Sequence, residues 1–531
     1  MGTYLNPNNA NFLEQTQELY VDKTMLIDVT NSFLDKPTFK FICISRPRRF
    51  GKSIAEDMLA AYYSKGADSR ELFSRYKISK TDSYGKYLNK FNVIKFDLNA
   101  RLSVWKALSP KEKTDGNVIA HIARLICDEF REEFSDIDFG ENNSVADFIQ
   151  KVFKEKGETF IIIIDEYDVM VREQVPQEEF DIYLAFLNSL FKNAELKPAI
   201  SLAYITGILP IIKDKIQSKL NTFKEYNMLY TGKFAEFTGF TTEDVKLLCD
   251  EYNCSFDECK SWYNGYKIED FEIYNPQAVV NAVVSGKFRS YWSHTSTYEV
   301  VAEKIQMNFD GIKDDVITML GGGKIDVNVD SYKNSMTIFD SKDDVFTFLI
   351  HLGYLAYDEE NEQCYIPNRE IYKEWQLAIK TDSDYTETNK IIEASKNLLK
   401  ETLAGNEQAV ADALDLSHIH VTSNKSYNNE ESLQSAIYLA FIYAINNYTI
   451  VKEMTAGKGF ADIVYIPLKG DSPALIVELK HNKSANTALT QIKEKHYFDC
   501  LSNYSGELLF VGVNYDEDTK THECKIEKFV K

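Results

Sequence analysis

The sequence is poor in the residues that stiffen or cross-link a chain. Its 531 residues include only 11 prolines, 23 glycines and 8 cysteines. The low proline and glycine content excludes collagen-like and low-complexity proteins. The cysteines form no C-x-x-C pair, and Cys249, Cys254 and Cys259 are spaced five apart, unlike the ligands of a zinc knuckle. We therefore expect free, mostly buried thiols in a reducing cytoplasm.

Long apolar runs and a secretory signal are also missing. The longest apolar run, at 436–445, has the length of a buried core helix rather than of a membrane span. The first fifteen residues are polar, with no basic stretch followed by an apolar one. These features predict a cytoplasmic protein that does not interact with a membrane.

The composition allows a sizeable core but excludes a strongly basic surface. Hydrophobic residues make up 44% of the chain, whereas 81 acidic residues against 60 basic ones give a net charge of −21. Such a charge disfavours an electrostatic grip on nucleic acid by the whole surface. Residues 451–531 are nearly balanced, with 11 basic and 12 acidic residues. A local contact with DNA therefore remains compatible with the sequence.

The hydrophobic pattern predicts an α/β protein. Strand-like runs alternate with amphipathic helical stretches over the first half, which is typical of a parallel sheet; these runs are 39–44, 92–97, 159–164 and 199–205. A helix start is predicted at 241–244, and mainly helical patterns follow. The last hundred residues return to strands in the order αβββαβ, with the two helices predicted at 432–446 and 486–501. We predict a parallel-sheet α/β domain at 1–240, a mainly helical domain at 241–378, a helical linker at 379–426 and a C-terminal α/β domain at 427–531.

A phosphate-binding loop is predicted directly after the first strand. The segment 45–53 reads SRPRRFGKS and leads into a helical stretch, which is the context of a P-loop. Lys52 would neutralise the β- and γ-phosphates, and Ser53 would place its hydroxyl on Mg²⁺. Backbone N–H groups of the loop would face phosphate oxygens; we assign this role to Arg48, Arg49, Phe50 and Gly51. The first glycine of the pattern is replaced by Arg46, so an ordinary basic loop is the alternative.

A second strand supplies the acidic half of the site. The apolar run at 159–164 ends in Asp165 and Glu166. We expect Asp165 to hold Mg²⁺ and Glu166 to orient and deprotonate the attacking water. A third strand ends at Thr206, whose hydroxyl either contacts the γ-phosphate or belongs to a simple turn.

These motifs resemble those of bacterial P-loop ATPases called AAA-ATPase-like. The resemblance covers about residues 15–300. It implies ATP binding, a P-loop NTPase core at 1–240 and a helical lid at 241–378. The motifs that carry it are Tyr20-Val21-Asp22-Lys23-Thr24, the loop at 45–53, Ile164-Asp165-Glu166-Tyr167-Asp168, Trp262-Tyr263-Asn264-Gly265-Tyr266, Tyr274-Asn275-Pro276 and Tyr291-Trp292. The Arg-Pro-Arg-Arg-Phe loop is typical of the family. The side chains of Arg48 and Arg49 would contact phosphate, a neighbouring subunit of a homo-oligomer, or solvent, and the sequence leaves these three open.

The C-terminal domain contains a second group of charged residues. Glu478 and Lys480 alternate along one predicted strand and therefore share a face, and the neighbouring strand can bring Asp462 beside them. Two carboxylates and an ammonium at one end of a sheet suit Mg²⁺-dependent cleavage of a phosphodiester, with Asp462 and Glu478 as metal ligands.

This group resembles the PD-(D/E)xK nuclease superfamily over about residues 427–531. The resemblance implies a restriction-endonuclease-like fold and a further role for Gln491, which would bind the nucleophilic water or the phosphate. It also implies an acid on the preceding helix, for which Glu431 is the candidate and Glu430 the alternative.

The sequence thus predicts an ATP-binding protein, an ATPase, coupled to a Mg²⁺-dependent nuclease that acts on DNA. One alternative is a nucleotide-switched regulator that binds nucleic acid or protein and retains an inactive nuclease fold. A partner-binding switch in a defence or toxin-related system, without nucleic-acid contact, is a second alternative.

Overall fold

The computed structural model describes residues 2–211, 222–292, 299–307, 309–332, 339–380, 386–421, 433, 437, 440–441, 443–444, 447–456, 459–467, 472–502, 504 and 506–529. The chain forms two compact units. The first comprises Met1–Cys259, Tyr263–Lys287 and Asp326–Cys364, and the second comprises Lys260–Trp262, Phe288–Ile325 and Tyr365–Lys531. The boundaries that we predict from the sequence within 241–426 remain a prediction.

The helices of the described residues, in chain order, are α1 (Ala10–Gln15), α2 (Met25–Asn31), α3 (Lys52–Tyr63), α4 (Arg70–Ser74), α5 (Tyr84–Tyr87), α6 (Leu98–Ala107), α7 (Val118–Glu133), α8 (Val145–Lys156), α9 (Val169–Arg172), α10 (Gln177–Phe191), α11 (Thr242–Glu251), α12 (Phe256–Tyr263), α13 (Pro276–Ser285), α14 (Glu299–Ile305), α15 (Ile312–Leu320), α16 (Lys342–Leu352), α17 (Arg369–Lys380), α18 (Thr386–Ala404), α19 (Glu407–Val421) and α20 (Ala485–Glu494). Short 3₁₀ turns lie at Lys77–Lys80, Lys197–Ala199, Gly232–Phe234, Val329–Ser331 and Tyr497–Leu501.

The strands are β1 (Phe41–Ser45), β2 (Asn92–Asp97), β3 (Phe160–Asp165), β4 (Ile200–Gly207), β5 (Lys224–Tyr226), β6 (Phe240–Thr241), β7 (Tyr266–Ile268), β8 (Phe271–Tyr274), β9 (Ile325–Asp326), β10 (Ala356–Asp358), β11 (Gln363–Tyr365), β12 (Tyr448–Ala456), β13 (Gly459–Pro467), β14 (Ala474–His481), β15 (Leu508–Asp516) and β16 (Thr521–Phe529). The four strands predicted for the first half are confirmed as β1 to β4; β2 has the predicted bounds, and the ends of the other three are shifted by one or two residues.

The first unit is built on a five-stranded sheet in the order β2-β3-β4-β1-β5, in which each neighbouring pair is parallel. Strands β3 and β4 are buried at every position, as expected for continuous apolar runs covered on both faces. Because the strands are parallel, their carboxyl ends lie at one edge of the sheet. That edge collects the segments that follow β1, β3 and β4.

Hydrogen bonds at the helix starts fix where several helices begin. The side chains of Asp97, Asn117 and Ser144 accept backbone N–H bonds at the first turns of α6, α7 and α8. Thr241 and Asp244 form a reciprocal capping box at the start of α11. The helix start predicted from the sequence at Thr241 is therefore confirmed.

The region predicted as a helical lid also contains β-structure. Strands β6, β8 and β7 form an antiparallel three-stranded sheet, and a second three-stranded sheet has the order β10-β11-β9. These strands are two to four residues long, which is too short to give a clear alternation in the sequence. In the described residues, no helix combines the length and the hydropathy needed to cross a membrane.

The second unit ends in a mixed sheet with the order β12-β13-β14-β15-β16, in which only the pair β14 and β15 is parallel. The predicted order of three strands, a helix and further strands is confirmed. The helix predicted at 486–501 is wrong in one respect, because α20 ends at Glu494 and His496 adopts a φ of +56° before the 3₁₀ turn at Tyr497–Leu501. Most of the helix predicted at 432–446 lies outside the described residues.

Candidate functional site

The carboxyl edge of the parallel sheet brings three predicted site residues together. Ser53 is the second residue of α3, Asp165 is the last residue of β3, and Thr206 lies at the end of β4. The Ser53 hydroxyl donates to Oδ2 of Asp165 at 2.6 Å, and the hydroxyl of Thr206 lies 2.6 Å from Oδ1 of the same carboxylate. The strand order therefore places the loop after β1 beside the acid that ends β3.

The loop presents a buried lysine at the start of a helix. Gly51 has a φ of +81°, a left-handed conformation that favours glycine, and caps α3. The Lys52 side chain is buried, and its Nζ donates to the carbonyl oxygens of Arg46 and Pro47 at 3.0 and 2.9 Å. Burial lowers the pKa of Lys52, whereas the nearby charge of Asp165 acts in the opposite direction. A cation and a helix N-terminus thus lie together, an arrangement suited to phosphate.

Arg46 occupies the position of the missing first glycine and lies in the interior. Its side chain is 0% exposed, and Nη1 donates to the carbonyl oxygen of Ser45 at 2.9 Å. Burial lowers the pKa of Arg46 to about 10. A buried guanidinium group therefore belongs to the position at which the P-loop pattern has its first glycine.

Phe50 joins the loop to the small sheet of β6, β8 and β7. Its ring lies 5.6 Å from that of Tyr266, and the backbone N–H of Gly239 donates to its carbonyl oxygen at 3.0 Å. A Cβ on Gly239 would lie 2.3 Å from Cγ2 of Ile273, so the close approach requires glycine. Among the other loop residues, Arg48 is exposed and half-buried Arg49 has a φ of +70°.

Glu166, the expected base, is held by an arginine that the sequence analysis did not single out. The guanidinium of Arg172 donates from Nη2 to Glu166 Oε2 and lies 3.2 Å from Oδ2 of Asp168. Burial acts to lower the pKa of Arg172, but the charges of Asp168 and Glu166 outweigh it and raise that pKa. In the sequence, the four-residue spacing of Asp168 and Arg172 is the pattern that could have indicated an ion pair at this turn.

The C-terminal unit brings its own predicted residues together between β13 and β14. Asp462 lies immediately before Ile463, which pairs with Val477 across the strands, and its Oδ2 accepts the backbone N–H of Leu479 at 2.7 Å. Lys480 donates from Nζ to Oε1 of Glu478 at 2.8 Å. Glu478 and Lys480 are 1% and 5% exposed, so this ion pair is buried. The alternation along β14 thus places both side chains on the face expected from the sequence.

The environment of Glu478 favours its neutral form unless a cation compensates its charge. Burial raises the pKa of Glu478 to about 7, with a further contribution from Asp462. Among the described residues, Oε2 of Glu478 is buried without a hydrogen-bond partner. A buried carboxylate oxygen without a donor, beside a second carboxylate, fits a divalent cation.

Gln491 on α20 completes this group. Its side-chain amide contacts Oε1 of Glu478 and donates to the hydroxyl of Tyr497 at 3.0 Å. Tyr497 lies in the 3₁₀ turn after α20, and burial raises its pKa. The amide therefore lies next to both a carboxylate and a phenol.

The described part of the chain contains no group of three or more His, Cys, Asp or Glu side chains that could hold a metal ion. Each predicted metal site therefore offers one or two carboxylates at most within that part. Glu431 and Glu430, the predicted additional acids, lie outside the described residues. The described residues include all eight cysteines and form no disulfide; Cys254 and Cys500 are half-buried, and the other six are buried.

Two family models and one curated relative match the sequence. Residues 8–217 match the family described as predicted AAA-ATPase, and residues 428–525 match the PD-(D/E)XK nuclease superfamily. The relative is an uncharacterized protein in the vnfD 5' region of Azotobacter chroococcum mcd 1, 25% identical over 298 residues. The matched segment spans 54% of this chain and 52% of that protein, so it covers about half the length of the relative.

Similar solved structures include the Aeropyrum pernix ORC2 protein (ADPNP-ADP complexes), at 10% identity and a TM-score of 0.31, covering 68% of this chain and 96% of that one. Another is Cdc6p from Pyrobaculum aerophilum, at 12% identity and a TM-score of 0.26, covering 69% and 94%. Similarity at this level carries no argument about function. The family matches and the architecture of the two sheets agree, and the chain combines an AAA-ATPase-like region with a region of the PD-(D/E)XK nuclease superfamily.

Proposed function

We propose that the first region binds and hydrolyses ATP with Mg²⁺ and that the C-terminal region is a Mg²⁺-dependent nuclease whose action on DNA is controlled by the nucleotide. The observation that carries the proposal is the group formed by buried Glu478 and Lys480 with half-buried Asp462 and Gln491. Burying a carboxylate beside a second carboxylate costs several kcal/mol in general. A fold retains such a group most readily when a cation and a charged substrate compensate it.

At the ATP site, each residue has a separate task. The ammonium of Lys52 would exchange the carbonyl oxygens of the loop for phosphate oxygens. Ser53 and Asp165 would hold Mg²⁺, which supplies positive charge against the phosphates when it is bound. Glu166 would orient a water molecule and accept its proton, and Arg172 fixes the direction of that carboxylate.

At the nuclease site, Asp462 and Glu478 would hold Mg²⁺, which when bound lowers the pKa of water and offsets phosphate charge. Lys480 already donates to Glu478 and to the carbonyl oxygen of Leu479 at 2.9 Å. That ammonium can therefore hold the carboxylate in place and also face the phosphodiester. The amide of Gln491 can donate to the water or to a non-bridging phosphate oxygen.

The decisive experiment measures cleavage by the full-length chain. Supercoiled plasmid, linear duplex, single-stranded DNA and RNA are incubated with Mg²⁺ or with EDTA, each with and without ATP. We expect cleavage of DNA that requires Mg²⁺ and changes with ATP. Asp462→Asn and Lys480→Met should abolish cleavage, whereas Lys52→Ala should remove only the effect of ATP.

Lys493→Met provides the matched control, because Lys493 lies on α20, is about half exposed and pairs with Glu527 at the surface. It should cleave like the wild type. Cleavage at the wild-type rate by Asp462→Asn and Lys480→Met would refute the nuclease assignment. Binding of DNA that depends on ATP but leaves no nicks would favour a regulator with an inactive nuclease fold instead.

A further inference from the structure

A buried arginine with no role in the proposed reaction lies at the start of the phosphate-binding loop. The side chain of Arg46 is 0% exposed. Its backbone N–H donates to the carbonyl oxygen of Gly207 at 3.1 Å. Its Nη1 donates to the carbonyl oxygens of Ser45 at 2.9 Å and of Tyr226 at 3.5 Å. Arg46 therefore contacts the last residues of β1, β4 and β5.

These contacts place the guanidinium group at the carboxyl edge of the parallel sheet, which is also the edge of the proposed ATP site. The carbonyl oxygen of Arg46 accepts a hydrogen bond from Nζ of Lys52 at 3.0 Å. Arg46 thus carries one buried cation of the loop and binds the other. Phosphates that contact Lys52 would accordingly lie near the guanidinium group of Arg46.

The positive charge of Arg46 is not balanced by a carboxylate. In the part of the chain that the structure describes, Arg46 forms no ion pair, and its Nε and Nη2 are buried without a hydrogen-bond partner. The titratable side chain in electrostatic contact with it is Tyr204, a phenol that stays neutral because burial raises its pKa. Burial lowers the pKa of Arg46 to about 10, so the guanidinium group remains charged at neutral pH.

The other buried cation of the loop has a different environment. Asp165 and Glu166 lie near enough to Lys52 for their charges to favour its charged form. The carbonyl oxygens that bind Arg46 accept hydrogen bonds but carry no net charge. The excess positive charge at this edge of the sheet therefore belongs to Arg46.

A buried charge without a counter-charge is unfavourable, so a fold retains it most readily when a bound ion balances it. The polyphosphate of a nucleotide is the anion that the proposed function brings to this edge. Direct contact is not required for such a balance. In a protein interior, two charges about 10 Å apart still change an affinity by roughly tenfold.

We propose that Arg46 is a binding residue of the ATP site: its buried guanidinium group attracts the phosphates of the nucleotide, which supply the negative charge that the guanidinium lacks. This inference rests on the proposed binding of ATP. It gives the arginine at the first position of the loop pattern a task that the usual glycine cannot perform.

The test compares Arg46→Met, Arg46→Gly and Arg46→Lys in the full-length chain. Methionine keeps much of the side-chain length without the charge, glycine restores the residue of the P-loop pattern, and lysine keeps the charge. Binding of ATP that carries a fluorescent group on its ribose is titrated in Mg²⁺. We expect about tenfold weaker binding by the methionine and glycine variants and binding within about threefold of the wild type by the lysine variant.

Arg75→Met is the matched control, because it removes the same charge from an exposed side chain. The guanidinium group of Arg75 donates to the hydroxyl of Thr16 at 3.1 Å. Solvent and salt screen an exposed charge of this kind. The control should therefore bind the nucleotide within about twofold of the wild type.

Thermal unfolding separates an electrostatic role from a structural one. Replacing a buried charged group by an apolar side chain of similar length is often neutral or stabilising. Without nucleotide, Arg46→Met should therefore unfold no earlier than the wild type. A fixed concentration of ATP should raise its unfolding temperature by less, because the shift follows the affinity.

The outcomes separate this inference from the proposal on which it rests. A wild-type chain that does not bind ATP would overturn both. A wild type that binds ATP, together with an Arg46→Met or Arg46→Gly variant of unchanged affinity, would overturn the role of Arg46 alone. Binding by Arg46→Lys as weak as that by Arg46→Met would show that the charge is not the cause. Methionine and glycine variants that fail to fold would assign Arg46 to stability and would equally refute the proposal.

Discussion

The carboxylate of Glu166 is bound by the guanidinium of Arg172, six residues further along the chain. The turn that permits this contact has Glu166 in a left-handed conformation, with a φ of +54°. Arg172 also lies 3.2 Å from Asp168, which accepts the backbone N–H groups of Ile208 and Leu209 at 3.1 and 2.9 Å. One arginine thus ties the expected catalytic base to the loop after β4.

Removal of this arginine should destabilise the first unit. Arg172→Met leaves the carboxylates of Glu166 and Asp168 without their cationic partner, and breaking a buried ion pair in this way costs about 3 kcal/mol. We expect a matching loss in the free energy of unfolding, measured by denaturant titration. Lys106→Met is the control, because the pair of Lys106 and Glu173 is about half exposed and should contribute less than about 1 kcal/mol. Equal effects of the two substitutions would contradict the burial argument.

The strands and the acids at their ends could be predicted because the information is local. β3 is apolar over consecutive residues and ends in Asp165, and Lys52 and Ser53 follow β1 within a recognisable loop. The alternation of Glu478 and Lys480 likewise follows from the geometry of one strand. In these places the structure is determined by residues that lie close together in the sequence.

Other contacts could not be predicted because they depend on tertiary structure. Lys23 lies in a motif near the N-terminus, yet it pairs with Asp244, which is 221 residues further along the chain, at 2.5 Å. The helical pattern after residue 485 continues past His496, but the backbone turns there and brings Tyr497 back to Gln491. The ion pair of Arg172 with Glu166 requires the left-handed turn at Glu166, which no local pattern in the sequence indicates.

The amide of Gln491 should affect nuclease activity through Glu478. Gln491→Leu removes the donor to Oε1 of Glu478 and to the hydroxyl of Tyr497. Loss of a group that orients a metal ligand typically reduces activity or metal affinity by about 10- to 100-fold. We expect a decrease of this size in the DNA cleavage rate at saturating Mg²⁺, without a change in unfolding temperature beyond a few degrees.

Thr490→Ala is the control for Gln491→Leu. Thr490 is the preceding residue on α20 and is exposed, and its hydroxyl donates to the carbonyl oxygen of Asn486 in the same helix. It should cleave DNA at the wild-type rate. A Gln491→Leu variant that is as active as Thr490→Ala would remove Gln491 from the site.

A buried carboxyl group on α17 should make the second unit less stable as the pH rises. Burial raises the pKa of Glu374 to about 7, and the hydroxyl of Ser290 donates to its Oε1 at 3.2 Å. The folded state therefore holds the proton more tightly than the unfolded state, whose pKa is about 4.3. The stability that the protonated Glu374 contributes is fully present below about pH 4.3. It is lost as the pH rises to about 7, which lowers the free energy of unfolding by on the order of 2 kcal/mol.

Unfolding of the wild type and of Glu374→Gln between pH 4 and pH 8 checks this sign. The glutamine variant cannot ionise, so its stability relative to the wild type should increase over that interval. Glu303→Gln is the control, because the side chain of Glu303 is 67% exposed and should leave the pH dependence unchanged. A constant difference between Glu374→Gln and the wild type at all pH values would show that Glu374 ionises alike in both states.

Because β4 closely approaches the turn after β3, replacement of Gly207 by a larger residue should destabilise the protein. A Cβ at Gly207 would lie 2.6 Å from Cε1 of Tyr167 and 2.9 Å from Oδ1 of Asp168. Tyr167 cannot move aside freely, since its hydroxyl donates to the carbonyl oxygen of Leu209 at 2.7 Å. Gly207→Ala should therefore cost about 2 kcal/mol of unfolding free energy by overpacking and weaken nucleotide binding. Gly85→Ala, where no atom lies within 4 Å, should change stability by less than about 1 kcal/mol, and a Gly207→Ala variant equally close to the wild type would contradict the proximity of these segments.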